Sequence, residues 1–473
     1  MKVLYAASEG LPLIASGGLA DVAGSLPKAI RNRRVACRVV LPMYSDIAQE
    51  HREKFKYITN FTVDVSWRKQ YCGLFEYNYN GVVYYLLDNE YYFKRPGLYG
   101  YYDDAERFSF FSRAILEMLK HIDFKPDIIH TNDWQTALVS VYFKLYYQYQ
   151  SEYSGIRNVF TIHNIQYQGK YGLDILEPLL GIGENMKSVV EYDKCVNFMK
   201  GAIQLADKVT TVSPTYANEI LTPYYSHGLD YILRENQYKL CGILNGIDVA
   251  RFNPETDEEI YVNFNAGHLE KKELNKKMLL EELGLVYDDA PVVGIVSRLV
   301  DHKGVDLIRD VFHEIIKLGY KVVVLGSGDR EYEEFFQHMK NSYPDRVSLT
   351  LGFIPTLAKK IYASCDMFLM PSKSEPCGLA QMMALRYGTI PVVRETGGLK
   401  DSVFDCGSLE GNGFTFKTYN GYDMLDALRR AQNLYYQKEH WGPLVQYAMS
   451  CDYSWKKSAA AYVDLYKEIS LNP

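Results

Sequence analysis

The same short phrase occurs twice in this chain, once in each half. Ser16-Gly17-Gly18-Leu19-Ala20-Asp21-Val22 follows the first apolar run, and Thr396-Gly397-Gly398-Leu399-Lys400-Asp401-Ser402 follows a late one. Paired glycines between a strand and a helix let the backbone turn sharply and present amides to an anion. One such loop is weak evidence, because tight turns use Gly-Gly freely. Two of one form are explained by two strand-and-helix domains that hold a ligand between them. Strand-length runs alternate with helical stretches along nearly the whole sequence, the pattern of an α/β protein with parallel sheets and crossover helices. Strands are expected at residues 2–8, 38–42, 82–88, 127–132, 158–163 and 208–213 in the first half. In the second they are expected at 291–298, 321–326, 347–352, 367–371 and 390–394. A polar, charged passage from Asp248 to Leu274 lies between the halves, and the hinge is placed at its start.

Bulk properties narrow the function. A chain of 473 residues exceeds a single core and calls for two or three domains. Its net charge of −6, with no basic block, argues against a nucleic-acid partner or an acidic membrane surface. The eight cysteines show no CxxC spacing and no histidine cluster, so neither zinc nor a disulfide framework is indicated. They read as reduced thiols of a cytoplasmic protein. Met1-Lys2-Val3-Leu4-Tyr5-Ala6-Ala7 is too brief for a signal peptide and reads as a strand. No apolar stretch reaches membrane-spanning length. The 41 tyrosines suit stacking on sugar rings, although most are expected simply to fill half-buried sites.

The segment richest in chemistry is Pro371-Ser372-Lys373-Ser374-Glu375-Pro376-Cys377-Gly378-Leu379-Ala380-Gln381. It follows the apolar run Met367-Phe368-Leu369-Met370 and leads into a helical stretch, so Glu375-Pro376 is expected at the helix start, with Pro in its first turn. Ligands of open α/β sheets bind at that end of the strands. A carboxylate for hydroxyls beside amides for an anion suits a sugar carried on a phosphate; a helix start with a stabilising acid would read the same. Arg298 stands at the end of another strand and Lys303 about a turn later. Together they can neutralise a diphosphate as its bond to carbon breaks, or be two ordinary surface cations. Gly326-Ser327-Gly328-Asp329 is a further glycine loop after a strand, a nucleotide contact or a turn. His163 ends the strand 158–163 and opens the polar loop Asn164-Ile165-Gln166-Tyr167-Gln168-Gly169. Asp133 beside Trp134 ends the neighbouring strand, a carbohydrate-like pairing or equally a helix cap on a core Trp.

In order along the chain, these phrases resemble the bacterial glycogen synthase and plant starch synthase family of glucosyltransferases. Leu41-Pro42-Met43-Tyr44, Arg95-Pro96-Gly97-Leu98-Tyr99-Gly100, Asp133-Trp134-Gln135-Thr136-Ala137-Leu138 and Leu244-Asn245-Gly246-Ile247-Asp248 extend the match to essentially full length. The resemblance implies a GT-B fold: two Rossmann-like, doubly wound domains facing across a cleft, with a C-terminal helix that crosses back to the first. The domains would be residues 1–241 on the acceptor side, completed by the helix 457–473, and 242–456 on the donor side. It implies retaining transfer of glucose from ADP-glucose to the non-reducing-end 4-hydroxyl of an α-1,4-glucan, with no cofactor and no metal. Carried over by position, Arg298 and Lys303 would hold the distal phosphate, and Glu375 would bind the glucosyl hydroxyls. His163 would lie near the anomeric carbon. Gly17, Gly18, Asp21, Cys377, Gly378, Leu379, Thr396, Gly397 and Gly398 would contact the donor, and Tyr99, Asp133 and Asn164 would place donor or acceptor sugar.

Three positions depart from the family pattern. Ala15 stands where the first glycine loop carries lysine, Lys373-Ser374 replaces Arg-Phe before Glu375, and Lys359 stands where histidine is common. Losing a charged contact to phosphate costs about 1.5–3 kcal/mol, roughly ten- to more than hundredfold. Two other readings therefore stay open. One is a low-activity or non-catalytic glucan-binding or regulatory paralogue, supported by Ala15. The other is a transferase of the same fold with a different acceptor; many of those carry a second Glu where this chain has Met383. The oligomeric state is not legible from the residues.

Overall fold

A computed structural model describes residues 1–407 and 411–471; residues 472 and 473, at the end of the expected C-terminal helix, lie outside the described residues. The chain forms two compact units, one of residues 1–245 together with the segment from Trp455 onward, the other of residues 246–454.

The first unit is built on strands β1 (Lys2–Ala6), β2 (Ala36–Pro42), β3 (Lys56–Val65), β4 (Arg68–Tyr79), β5 (Val82–Asp88), β6 (Ile128–Asn132) and β7 (Arg157–Ile162). Three short strands, β8 (Lys170–Tyr171), β9 (Glu191–Tyr192) and β10 (Cys195–Asn197), make a separate small sheet. Then come β11 (Lys208–Thr211) and β12 (Leu240–Gly242). The large sheet runs β12-β11-β7-β6-β1-β2-β5-β4-β3. Its pairs are parallel except β3 with β4 and β4 with β5, which are antiparallel. Val3, Leu4, Tyr5 and Ala6 of β1 are all buried, as a central parallel strand covered on both faces requires. The antiparallel β3 and β4 were not anticipated: β3 alternates exposed and buried residues and has no continuous apolar run.

The helix Trp455–Leu471 completes this unit. It is tied down by polar contacts as well as by its apolar face. The Tyr466 hydroxyl lies 2.6 Å from Nδ1 of the buried His130, whose Nε2 lies 2.6 Å from the Thr161 hydroxyl. Ser458 donates to the Leu244 carbonyl, and Arg33 donates to the Lys456 carbonyl.

The second unit holds β13 (Val292–Val296), β14 (Lys321–Gly326), β15 (Val347–Leu351), β16 (Met367–Met370), β17 (Ile390–Arg394) and β18 (Phe414–Phe416), all parallel, in the order β15-β14-β13-β16-β17-β18. Successive side chains of β13 and β14 enter opposite cores. Val293, Ile295, Val322 and Val324 pack on one face, while Val292, Val323 and Leu325 meet Leu279, Leu280 and Ile361 on the other. Helices on both faces make each large sheet doubly wound. Among the described residues no helix is long and apolar enough to cross a membrane.

Strand order fixes where a site belongs. In the second unit the chain runs outward from β13 to β15 and then returns to β16 on the other side, so the crevice opens between the loops that follow β13 and β16. In the first unit the same reversal lies between β1 and β6.

Candidate active site

The loops after β13 and β16 carry the second unit's functional side chains. Lys303 ends the short turn Asp301–Lys303, and its Nζ lies 2.7 Å from Glu375 Oε2. Ser372 also donates to that oxygen, at 3.0 Å. Glu375 is buried while Lys303 is partly open, so the carboxylate is oriented by two donors. Arg298 is exposed beside them, with Nη2 3.4 Å from His302 Nε2. Burial, and then the Lys303 and Arg298 charges, keep the His302 imidazole below its usual pKa and hence neutral near pH 7. The sequence thus brings Lys303 and Glu375 together and sets Arg298 at the rim.

Two details differ from expectation. The helix after Glu375 begins only at Ala380, so Pro376 is not in its first turn. Gly378, at φ +69°, breaks the path, and Glu375 lies in the loop between β16 and that helix instead. The second glycine pair serves packing: a Cβ on Gly397 would lie 1.9 Å from the Glu375 carbonyl, and one on Gly398 would lie 2.1 Å from that of Cys377. The Gly398 N–H donates to the Glu375 carbonyl at 3.1 Å, so it holds the loop rather than standing open. Thr396 occupies the N-cap position of the helix Gly397–Ser402; Cys377 is buried, and Leu379, half-buried, stands at the N-cap of the helix Ala380–Arg386. Lys373 sits over the Tyr419 ring, 5.6 Å from its centroid. Lys359 is engaged in structure, pairing with Asp257 and Glu259.

In the first unit Gly17 caps the helix Gly18–Arg31, whose first turn includes Asp21. The amides expected to face an anion already have one. Glu9 Oε2 accepts from the N–H groups of Ser16 and of Gly17, the latter at 3.3 Å. Glu9 is buried, which lifts its carboxyl above the ordinary range against the pull of those amides. The Tyr99 hydroxyl reaches Glu9 and lies 2.7 Å from Ser8 Oγ. Asp133 opens the helix Asp133–Tyr142 at φ +57°, and its Oδ1 accepts from His163 N at 2.8 Å and Asn164 N at 3.3 Å. Burial pushes its carboxyl up to about 7. Its neighbour Trp134 packs among Phe108, Tyr171 and Phe198, an aromatic core. His163 lies just beyond β7, half-buried, and burial lowers its imidazole to about 3.

Sequence reasoning missed Glu9 and Asn132. Glu9 carried a signal, being the sole acidic residue before Asp21 and lying just after the first strand. Phe353 was also missed. It is 90% exposed, just beyond the edge strand β15, and a bare aromatic face of this kind suits stacking on a flat ring.

Two doubly wound units, with a cation–carboxylate pair at the crevice of one and buried polar groups at the crevice of the other, define a glycosyltransferase of the GT-B fold. Starch synthase catalytic domains match residues 2–235, and glycosyl transferases group 1 match residues 281–443. The glycogen synthase of Desulforamulus reducens is 50% identical over 100% of this chain and 99% of its own length. That of Geobacillus stearothermophilus is 48% identical over 99% and 98%. The catalytic domain of starch synthase IV from Arabidopsis thaliana, bound to ADP and acarbose, superposes with a TM-score of 0.92 at 37% identity, covering 99% of both chains. A sucrose-phosphate synthase from Thermosynechococcus elongatus shares the fold alone, with a TM-score of 0.63 at 15% identity. The chain belongs to the glycogen and starch synthase family.

Proposed function

We propose that this protein is a cytoplasmic, ADP-glucose-dependent glucan synthase that transfers glucose, with retention, to the non-reducing-end 4-hydroxyl of an α-1,4-glucan. The observation that carries the reading is the contact between Lys303 and Glu375, 2.7 Å apart, at the crevice of an all-parallel sheet, with Arg298 beside them. The glycogen synthase relatives and the ADP- and acarbose-bound starch synthase support it.

In this reading the unit of residues 246–454 takes the nucleotide sugar and the unit of residues 1–245 takes the glucan. Glu375 accepts from the glucosyl hydroxyls, its rotamer held by Lys303 and Ser372. Arg298 and Lys303 stabilise the negative charge that grows on the diphosphate as the anomeric C–O bond breaks, and this is the main catalytic effect. The acceptor oxygen enters on the same face and its proton passes to the departing phosphate, so no protein base is required. His163, Asp133, Asn164 and Tyr99 hold sugar in place, and Phe353 offers its face to the base.

Incorporation of labelled glucose from ADP-glucose into glycogen by purified protein tests this. Product chains should lengthen through α-1,4 bonds. No incorporation at high enzyme concentration from ADP- or UDP-glucose, with glucan binding intact, would overturn it.

A further inference from the structure

Asn132, the last residue of β6, is fully buried and meets three groups with one side chain. Its Nδ2 donates to the Ala6 carbonyl at 2.9 Å. Its Oδ1 lies 2.9 Å from the Tyr5 hydroxyl and 2.8 Å from His163 Nε2. A backbone carbonyl only accepts, so the Ala6 oxygen fixes which end of the amide faces which way. The flipped amide would set oxygen against oxygen. With Oδ1 facing the imidazole, His163 Nε2 must carry a proton.

We propose that Asn132 is a positioning residue for the transfer reaction: it holds the His163 ring as the neutral Nε2–H tautomer and keeps Nδ1 as the ring's acceptor for a sugar hydroxyl. The inference rests on the reading of His163 as a sugar contact. Burial adds to it, since a ring whose pKa is lowered to about 3 does not take a second proton near neutrality. The other titratable groups nearby are Tyr5 on β1, His130 on β6, whose protonation His163 disfavours, and Asp133, which takes the His163 N–H. Tyr216 accepts from Ile165 N, and Glu9 acts on Asp133 by its charge. Asp133 has its own pKa near 7, so the informative quantity is the difference between wild-type and variant profiles.

The test is nitrogen NMR of the full-length protein labelled with 15N-histidine, which has ten histidines, with the His163 signals assigned by their loss in His163→Gln. Wild-type His163 should show a protonated Nε2 and a bare Nδ1 from pH 8 down to 5.5, and this needs no Asn132 variant to fold. Asn132→Asp puts a carboxylate on Nε2, which favours the imidazolium and blocks Nδ1. It should add a loss of kcat on the acid side that wild type lacks. Asn132→Ala frees the tautomer and should lower kcat about three- to tenfold with a smaller change in glucan KM. An Nδ1–H tautomer or an imidazolium in the wild type at pH 7 would overturn the proposal, as would an Asn132→Asp profile superimposable on wild type. Undiminished kcat in His163→Asn would instead sink the underlying reading of the site, whatever the spectrum shows.

Discussion

The carbonyl oxygen of Pro371 lies 2.2 Å from where a side chain on Gly304 would begin. Gly304 sits at φ +76°, directly after Lys303, and Pro371 opens the loop that carries Glu375. The close approach of these two backbones is what brings the ammonium to the carboxylate. Gly304→Ala combines left-handed strain with a steric clash and should destabilise the second unit by about 2–5 kcal/mol. Denaturant unfolding measures the loss, and kcat should fall with it.

Lys303 and Glu375 share one contact, so their substitutions will not add. Lys303→Ala and Glu375→Ala should each lower kcat by about 10²–10³. The double variant should be less impaired than the product of the two. Arg298→Ala belongs with this pair, whereas Lys373→Ala, whose ammonium lies over Tyr419, should cost far less. Steady-state kinetics of the five proteins decides.

Ala15 is exposed beside the glycine turn and adds no charge there. Ala15→Lys should raise kcat/KM for ADP-glucose about tenfold, the lower bound for a charged hydrogen bond. Unchanged kcat and KM would show that the turn, filled by Glu9, does not use a cation.

Arg107 is fully buried and grips the Tyr99 loop. It donates to the Leu98 carbonyl at 3.1 Å and pairs with Asp104, which accepts from Gly100 N at 2.8 Å. Arg107→Ala leaves Asp104 without its ion-pair partner and should cost about 3–5 kcal/mol of stability. Glucan KM should rise, since Tyr99 loses its seat. Calorimetry and acceptor titration read the two effects.

His130 and His163 are held neutral, each lowered to about 3 by burial. An unfolded histidine titrates near 6.5, so between about pH 3 and 6.5 the unfolded chain binds more protons. Their contribution to stability is therefore complete above about pH 6.5 and is lost as pH falls through that window. His130→Gln should flatten the acid side of the stability profile measured by urea unfolding.

The parallel strands were legible because they are buried on both faces and read as unbroken apolar runs. Val82–Asp88, Lys321–Gly326 and Ile390–Arg394 fall where expected. The β3–β4 hairpin was not, since its alternation of Tyr, Asn, Thr and Asp with apolar residues gives no such run. Lys303 and Glu375 could be picked out as charges at strand ends. Asn132 and Glu9 could not be assigned roles from sequence, because those roles are set by the Ala6 carbonyl and by the amides of Ser16 and Gly17. Nothing local foretells such partners.

Because the helix from Trp455 to Leu471 belongs with residues 1–245, the second unit is an insertion within the first. The unit of residues 1–245 therefore lacks a piece until the segment that follows residues 246–454 has been made and Tyr466 has met His130. A chain cut short before Trp455 would keep every residue of the unit 246–454 and leave the unit of residues 1–245 without the helix that closes it.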